Sequence, residues 1–268
     1  MTPRASVIVR ARNEEPTIGR TLELLRVQTV ESEIIVVDSG SRDRTVEIAQ
    51  RLCDLLIEIP QSEFTYGRAL NVGARAASAP VHFALSAHCF PERHDWIERS
   101  LARYARDDVA ATNGIQGFND GSPVLEPFYQ DAEHAHSNPF WGFSNHASSW
   151  RASVWEEFPF DERIDYAEDR EWSLRVLDAG WVIVFDPELW VDIAHMWSSS
   201  TEFFRRQRFA ARAIASFASL PPYGLRDALR DWWSGIPQDQ RPAAYHRLNY
   251  RRTAGIAGKY VGLRSTRR

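Results

Sequence analysis

The chain has 268 residues, of which 44% are apolar, and a formal net charge of −4. That length and apolar share suit one α/β unit with a sizeable core and do not require two domains. The faint acidity gives no support to nucleic-acid binding. Two cysteines, Cys53 and Cys89, make neither a disulfide framework nor a paired-cysteine site, which fits a reducing cytoplasm.

Charges interrupt the stretch MTPRASVIVRARNEE, so it does not read as a secretory signal. No run approaches the ~18 apolar residues of a spanning helix. The expectation is a soluble cytoplasmic protein that at most rests on the inner face of a membrane.

Ser6–Val9 is a short apolar run that ends in Arg10-Ala11-Arg12-Asn13. A helix is predicted after Pro16, with Ile18, Leu22 and Leu25 at helical spacing. Ile34–Val37 is all aliphatic, as in a strand buried on both faces, and ends in Asp38-Ser39-Gly40-Ser41. A helix over Thr45–Leu52, a strand over Leu55–Ile59, a helix over Gly67–Ala77 and a strand over Val81–Leu85 follow, the last stopping at Ser86-Ala87-His88. This alternation predicts a Rossmann-like, mainly parallel sheet flanked by helices. In such sheets ligands bind beyond the carboxyl ends of the strands, which is where Arg12, Asn13, Asp38 and His88 fall.

The second half is less regular. Residues 113–148 are rich in Gly, Asn, His and aromatics. Asp165-Tyr166-Ala167-Glu168-Asp169-Arg170-Glu171-Trp172 runs into a helix ending at Gly180, and Trp181–Phe185 reads as a strand. Residues 201–219 predict a basic amphipathic helix, and the end from Arg241 is basic with no acidic residue. The division expected is 1–200 for the main domain, with halves near 1–112 and 113–200, and 201–268 for a C-terminal basic helical extension.

The ordered set VIVRARNEEPTIGRTLELL, IIVVDSGSRDRT, YGRALNVGARAASAP, FALSAHCFP, FDERIDYAEDREWSLRVLDAGW and VDIAH resembles glycosyltransferase family 2, in the branch with bacterial rhamnosyltransferases and other envelope-polysaccharide enzymes. The resemblance covers roughly residues 5–210. It implies a GT-A fold, a dTDP- or UDP-sugar donor, and transfer to a carbohydrate, lipid-linked or small-molecule acceptor with inversion at the anomeric carbon.

On this reading Ala11, Arg12, Asn13 and Asp38 line the nucleotide pocket, and Asp38 can equally be a helix cap within its turn. Arg68 and Asn71 share one side of a helix beside the donor, where an arginine can pair with a diphosphate. The family's Asp-x-Asp metal motif is replaced by Ser86-Ala87-His88. Either His88, joined by His195, binds a divalent metal such as Mn²⁺ or Mg²⁺, or no metal binds and His88 with arginines steadies the diphosphate directly. Asp169 matches the family's general base; Glu168 orients the acceptor or the loop, and Trp172 is placed to pack on sugar or nucleotide. Trp141-Gly142-Phe143-Ser144-Asn145-His146 resembles the acceptor-side segment, with Phe143 read as core, and the His134-x-His136 spacing reads as surface polarity. Arg205, Arg206, Arg208 and Arg212 suit either an anionic membrane or packing against the sheet or a second subunit, as in a homodimer. The missing Asp-x-Asp also motivates an alternative, a non-catalytic nucleotide-sugar-binding protein.

Overall fold

The computed structural model describes residues 3–115, 123–194, 199–234 and 249–265. The chain opens with β1 (Ser6–Ala11), α1 (Ile18–Arg26), β2 (Glu33–Asp38), α2 (Thr45–Leu52) and β3 (Leu55–Glu58). Next come α3 (Tyr66–Ala76), β4 (Val81–Ser86), the short β5 (Cys89–Phe90), α4 (Trp96–Arg103) and β6 (Val109–Gly114). The second half contributes β7 (Phe128–Gln130), α5 (Ala132–Ser137), β8 (Ala147–Arg151), α6 (Ala152–Glu157), α7 (Glu168–Asp178), β9 (Val182–Asp186) and β10 (Asp192–Ile193). The helices α8 (Ser200–Phe217), α9 (Leu225–Ser234) and α10 (Asn249–Ser265) follow.

The main sheet has the order β3-β2-β1-β4-β8-β6-β9-β7. Its first four strands are parallel, β8 runs antiparallel to both β4 and β6, and β7 is antiparallel to β9. A small antiparallel pair joins β5 to β10. Strand alternation sends Val7, Val9, Ile34, Val36, Phe83 and Leu85 to one face, beneath α1 and α4. Ile8, Ile35, Val37 and Ala84 go to the other face, beneath α3 and α7. Arg10 shares that second face with Ile8, because its position differs from Ile8 by two along the strand.

Two close approaches fix the geometry near the site. A Cβ on Gly67 would lie 2.9 Å from the Asp161 carbonyl oxygen, so only glycine lets the first turn of α3 meet the loop before α7. A Cβ on Gly258 would lie 2.4 Å from the Phe204 carbonyl oxygen, which brings α10 onto the backbone of α8. Both contacts are with backbone, which cannot swing aside as a side chain does.

The expected strand over Leu55–Ile59 ends one residue earlier, and that over Trp181–Phe185 is displaced to Val182–Asp186. His134 and His136 lie on α5, and two residues two apart on a helix face different ways. His134 packs 4.7 Å from the Phe128 ring, whereas His136 meets Asp178 at 2.7 Å, so the pair does not converge.

Candidate active site

The carboxyl ends of β1, β2 and β4 face the start of β8 and the N-terminus of α7. Ser6 to Arg10 of β1 pair in register with His82 to Ser86 of β4, which sets Arg10 beside Ser86. The next residues form the Ser86-Ala87-His88 turn. Its backbone is held by Ala87 N–H donating to the Arg10 carbonyl at 3.1 Å, and by Thr21 Oγ1 donating to the Ala87 carbonyl at 2.8 Å. Ser86 N–H donates to the His146 carbonyl at 3.0 Å, which ties this turn to the segment before β8.

The residue before α7, Ala167, has φ of 64°, a left-handed value that costs an alanine of order 1 kcal/mol. That turn places Glu168 and Asp169 in the first turn of α7, where the helix dipole favours negative charge. Asp169 is half-buried; its Oδ2 lies 3.4 Å from the Asn145 N–H and its Oδ1 accepts from the Arg170 N–H at 2.8 Å. Glu168 is only 4% exposed. Burial, and then the neighbouring Asp169 charge, push its carboxyl up to about 7.

Arg10 opposes that rise. One end of its guanidinium donates to the Asn145 carbonyl at 2.7 Å, and the other lies 3.8 Å from Glu168 Oε1. Its Cζ also sits 5.5 Å from the centre of the Tyr66 ring. Asn145 is thus gripped at both ends, because its Nδ2 donates to Glu168 Oε1 at 3.3 Å while its N–H faces Asp169. His146 beside it has Nδ1 at 2.7 Å from Ser144 Oγ, and burial pushes its pKa down to about 4, with Arg10 acting in the same direction. From the C-terminal side, the Arg206 charge of α8 acts on Tyr166, whose ring stands 6.3 Å from Tyr66.

His88 meets Glu14 rather than a second histidine among the described residues: its Nδ1 is 2.7 Å from Glu14 Oε1. The other carboxylate oxygen of Glu14 accepts from Thr17 Oγ1 at 2.9 Å. His195 lies outside the described residues. Among the described residues no group of three or more His, Cys, Asp or Glu converges to hold a metal ion. The donors at hand, one imidazole backed by a carboxylate, fit a divalent cation that draws its remaining ligands from a bound diphosphate, not one caged by protein alone.

The residues expected at the nucleotide pocket divide into two groups. Arg12 and Asn13 are exposed at the end of β1. Asn13, at φ of 51°, ties its loop to the next one: its Oδ1 accepts from the Arg42 N–H and its N–H donates to Ser41 Oγ, both at 2.8 Å. Asp38 is 1% exposed and caps its own turn, accepting from the Gly40 and Ser41 N–H groups at 2.9 and 2.8 Å and from the Ser41 hydroxyl. Ser86 is nearly buried at the end of β4. Ala11 packs its side chain into the core, and its carbonyl accepts from Ser39 N–H.

The packing engages three further expected residues within the protein itself. Trp172 is fully buried; its Nε1 donates to the Phe158 carbonyl at 2.6 Å, and its ring stacks among Phe143 and Phe160 at 5.1 and 5.3 Å. It supports α7 from within and presents no face to a ligand. Asn71 is also buried, and all its hydrogen-bonding capacity is taken: Nδ2 donates to the Phe160 carbonyl and Glu162, while Oδ1 accepts from Trp155 Nε1 and Phe160 N–H. Arg68 is bound between Glu63 at 2.5 Å and Glu162 at 3.3 Å, so its charge is already balanced. Conversely, Arg10 and Glu14 are not among the residues the sequence motifs point to. An arginine inside an otherwise apolar strand was the available signal for the first.

Residues 6–160 match the family described as Glycosyl transferase family 2. The chain is 26% identical over 242 residues to the O-antigen chain rhamnosyltransferase RfbN of Salmonella typhimurium, covering 84% of this chain and 75% of that protein. It is 28% identical over 190 residues to the O-antigen chain rhamnosyltransferase WbaN of Salmonella anatum, covering 65% of this chain and 60% of that one. The solved mannosyltransferase PcManGT of Pyrobaculum calidifontis, in complex with GDP-Man and Mn²⁺, superposes with a TM-score of 0.71 at 17% identity, over 98% of this chain and 88% of that one. Glucosyl-3-phosphoglycerate synthase of Mycobacterium tuberculosis, with Mn²⁺ and UDP, superposes with a TM-score of 0.59 at 16% identity, over 83% and 82%. These structural likenesses establish the GT-A fold. The family match spans more than half of the chain, and with the rhamnosyltransferase relatives it identifies this protein as a member of glycosyltransferase family 2.

Proposed function

We propose that the protein is an inverting hexosyltransferase that moves a sugar from a dTDP- or UDP-sugar to an acceptor hydroxyl, with Asp169 as general base. The observation that carries this reading is the placing of Asp169. A half-buried carboxylate stands at a helix N-terminus, its Oδ2 facing one backbone N–H at 3.4 Å, beside the strand ends where the fold binds ligands. In a single displacement the acceptor oxygen bonds to the anomeric carbon as the bond to the diphosphate oxygen breaks. The acceptor proton passes to Asp169, and the nucleoside diphosphate departs with the electron pair. One base suffices, because the leaving diphosphate needs charge stabilisation and not a second acid.

Glu168, with Arg10 and Asn145, keeps the loop carrying the base in place. His88 stands at the diphosphate end and, with His195, would hold Mn²⁺ or Mg²⁺. Such a cation, when bound, neutralises the charge developing on the leaving diphosphate. The acceptor reading is a glycan or lipid-linked glycan of the cell envelope, supported by the names of the Salmonella relatives. No described helix is long and apolar enough to cross a membrane. The exposed residues Arg205, Arg208, Phe209 and Arg212 form one stripe of α8, which supports contact with an anionic membrane surface.

The test is Asp169→Asn with a panel of nucleotide sugars. Turnover is expected to fall by roughly 10²–10⁴-fold while nucleotide affinity holds. Unchanged turnover would remove Asp169 as the base. Nucleotide binding without turnover by the wild-type protein across the panel would favour the second reading, a nucleotide-sugar-binding protein, which the carboxylate-free Ser86-Ala87-His88 turn supports.

A further inference from the structure

The turn that ends β4 offers no carboxylate, yet one reaches it from elsewhere. Glu14, in the loop between β1 and α1, approaches His88 Nδ1 at 2.7 Å. Its side chain is 15% exposed and that of His88 25% exposed, so the contact is shielded from water. The carboxylate is itself oriented, because Thr17 Oγ1 holds Oε2 at 2.9 Å and leaves Oε1 for the imidazole. The Glu14 backbone is fixed as well: its N–H donates to Thr45 Oγ1 at 2.7 Å, and its carbonyl accepts from Ile18 N–H at 2.9 Å. On the other side, α1 grips the turn through Thr21 and the Ala87 carbonyl at 2.8 Å. The first residues of α1 and the preceding loop therefore hold both the backbone beside His88 and its ring.

An ionised carboxylate only accepts hydrogen bonds, so the ring nitrogen facing it carries the proton. In a neutral imidazole this leaves the lone pair on Nε2, and the adjacent negative charge makes that nitrogen a better electron donor. We propose that Glu14 is the positioning residue of the diphosphate-end cation site: it fixes His88 as an Nε2 ligand and supplies, through the imidazole, the negative charge that Ser86-Ala87-His88 lacks. The inference rests on the glycosyl-transfer reading and deepens it, since it says which carboxylate replaces the missing ones. The cation served is one that accepts imidazole readily, with Mn²⁺ taken before Mg²⁺.

The experiment measures Mn²⁺ uptake by electron paramagnetic resonance, with saturating UDP or dTDP, for the wild type, Glu14→Gln, Glu14→Ala and His88→Ala. Nucleotide affinity is measured in parallel in EDTA. Glu14→Ala is expected to weaken Mn²⁺ binding about 10–100-fold while metal-free nucleotide affinity stays unchanged. Glu14→Gln keeps an acceptor but drops the charge, and falls between Glu14→Ala and the wild type. Long-range ¹H–¹⁵N spectra should show the His88 proton on Nδ1 in the wild type and redistributed in Glu14→Ala, a signature that general loosening of the loop would not give. Mn²⁺ affinity within twofold of wild type in Glu14→Ala overturns the inference. So does a wild-type protein that binds nucleotide but takes up no Mn²⁺. A protein that binds no nucleoside diphosphate under any condition overturns the glycosyl-transfer reading itself.

Discussion

Glu168→Gln isolates the electrostatic cost of burying a carboxyl at the start of α7. Glu168 is buried at 4% exposure, and its carboxyl stands at about 7 against an ordinary value of 4.5. Because the folded value lies above the unfolded one, the associated stability is fully present below about pH 4.5 and is lost as the pH rises through about 7. At about 1.4 kcal/mol per tenfold change in proton affinity, the interval corresponds to roughly 3 kcal/mol. Glutamine is isosteric and carries no such proton, so its stability should not fall over that window. His146 acts with the opposite slope: its pKa is pushed down to about 4, so stability is lost as the pH falls below 6.5. It is present in both proteins and largely cancels in the difference. Arg10 loses a partner at 3.8 Å in the variant, but keeps the Asn145 carbonyl at 2.7 Å. Urea unfolding at pH 5, 6, 7 and 8 would give the difference between the two proteins. The variant is expected to gain on the wild type by up to roughly 3 kcal/mol between pH 5 and pH 8. A difference that stays flat with pH would refute the burial argument.

Removing the two supports of the same loop should give different signatures. Trp172→Ala opens a cavity inside the second core and leaves the Phe158 carbonyl without its donor at 2.6 Å. It should cost about 3–5 kcal/mol in thermal or chemical unfolding, with nucleotide affinity of the folded fraction retained. Arg10→Met preserves bulk but strips Glu168 and Asn145 of their cation. Leaving a buried charge unpaired is expected to destabilise by about 3–5 kcal/mol near pH 8, and less near pH 5, where Glu168 holds its proton. Unfolding curves at the two pH values would check it, and equal losses at both would refute it.

The sheet was legible because its strands are short aliphatic runs that stop abruptly at polar residues, as Ile34–Val37 does at Asp38. Burial on both faces demands such runs, and a ligand edge demands such endings. The position of Asp169 in the fold was legible for a related reason: an acidic pair opening a helix is a local pattern, and here it stands in the first turn of α7. What a one-dimensional reading misses is which polar side chains the fold uses on itself. Asn71 and Arg68 lie on the helix expected beside the donor, but the loop before α7 crosses that helix and engages both through Phe160 and Glu162. Trp172 follows Asp169 by three positions, but its ring packs against Phe143 and Phe160 in the core.

The same long-range ties explain the residues that gained importance. Arg10 meets Asn145 across 135 positions and Glu14 meets His88 across 74, so neither pairing has a local signature. Each places a charge against a half-buried or buried partner at the ligand edge, where the low dielectric makes an unpaired charge costly and a paired one directional. The altered Ser86-Ala87-His88 turn therefore does not imply a site stripped of negative charge. A carboxylate from the loop after β1 stands 2.7 Å from the His88 imidazole, and the role proposed for it is to orient that ring toward a cation. The proposed base at α7 is held apart from this contact, because the Glu14–His88 and Arg10–Glu168 pairs share no residue.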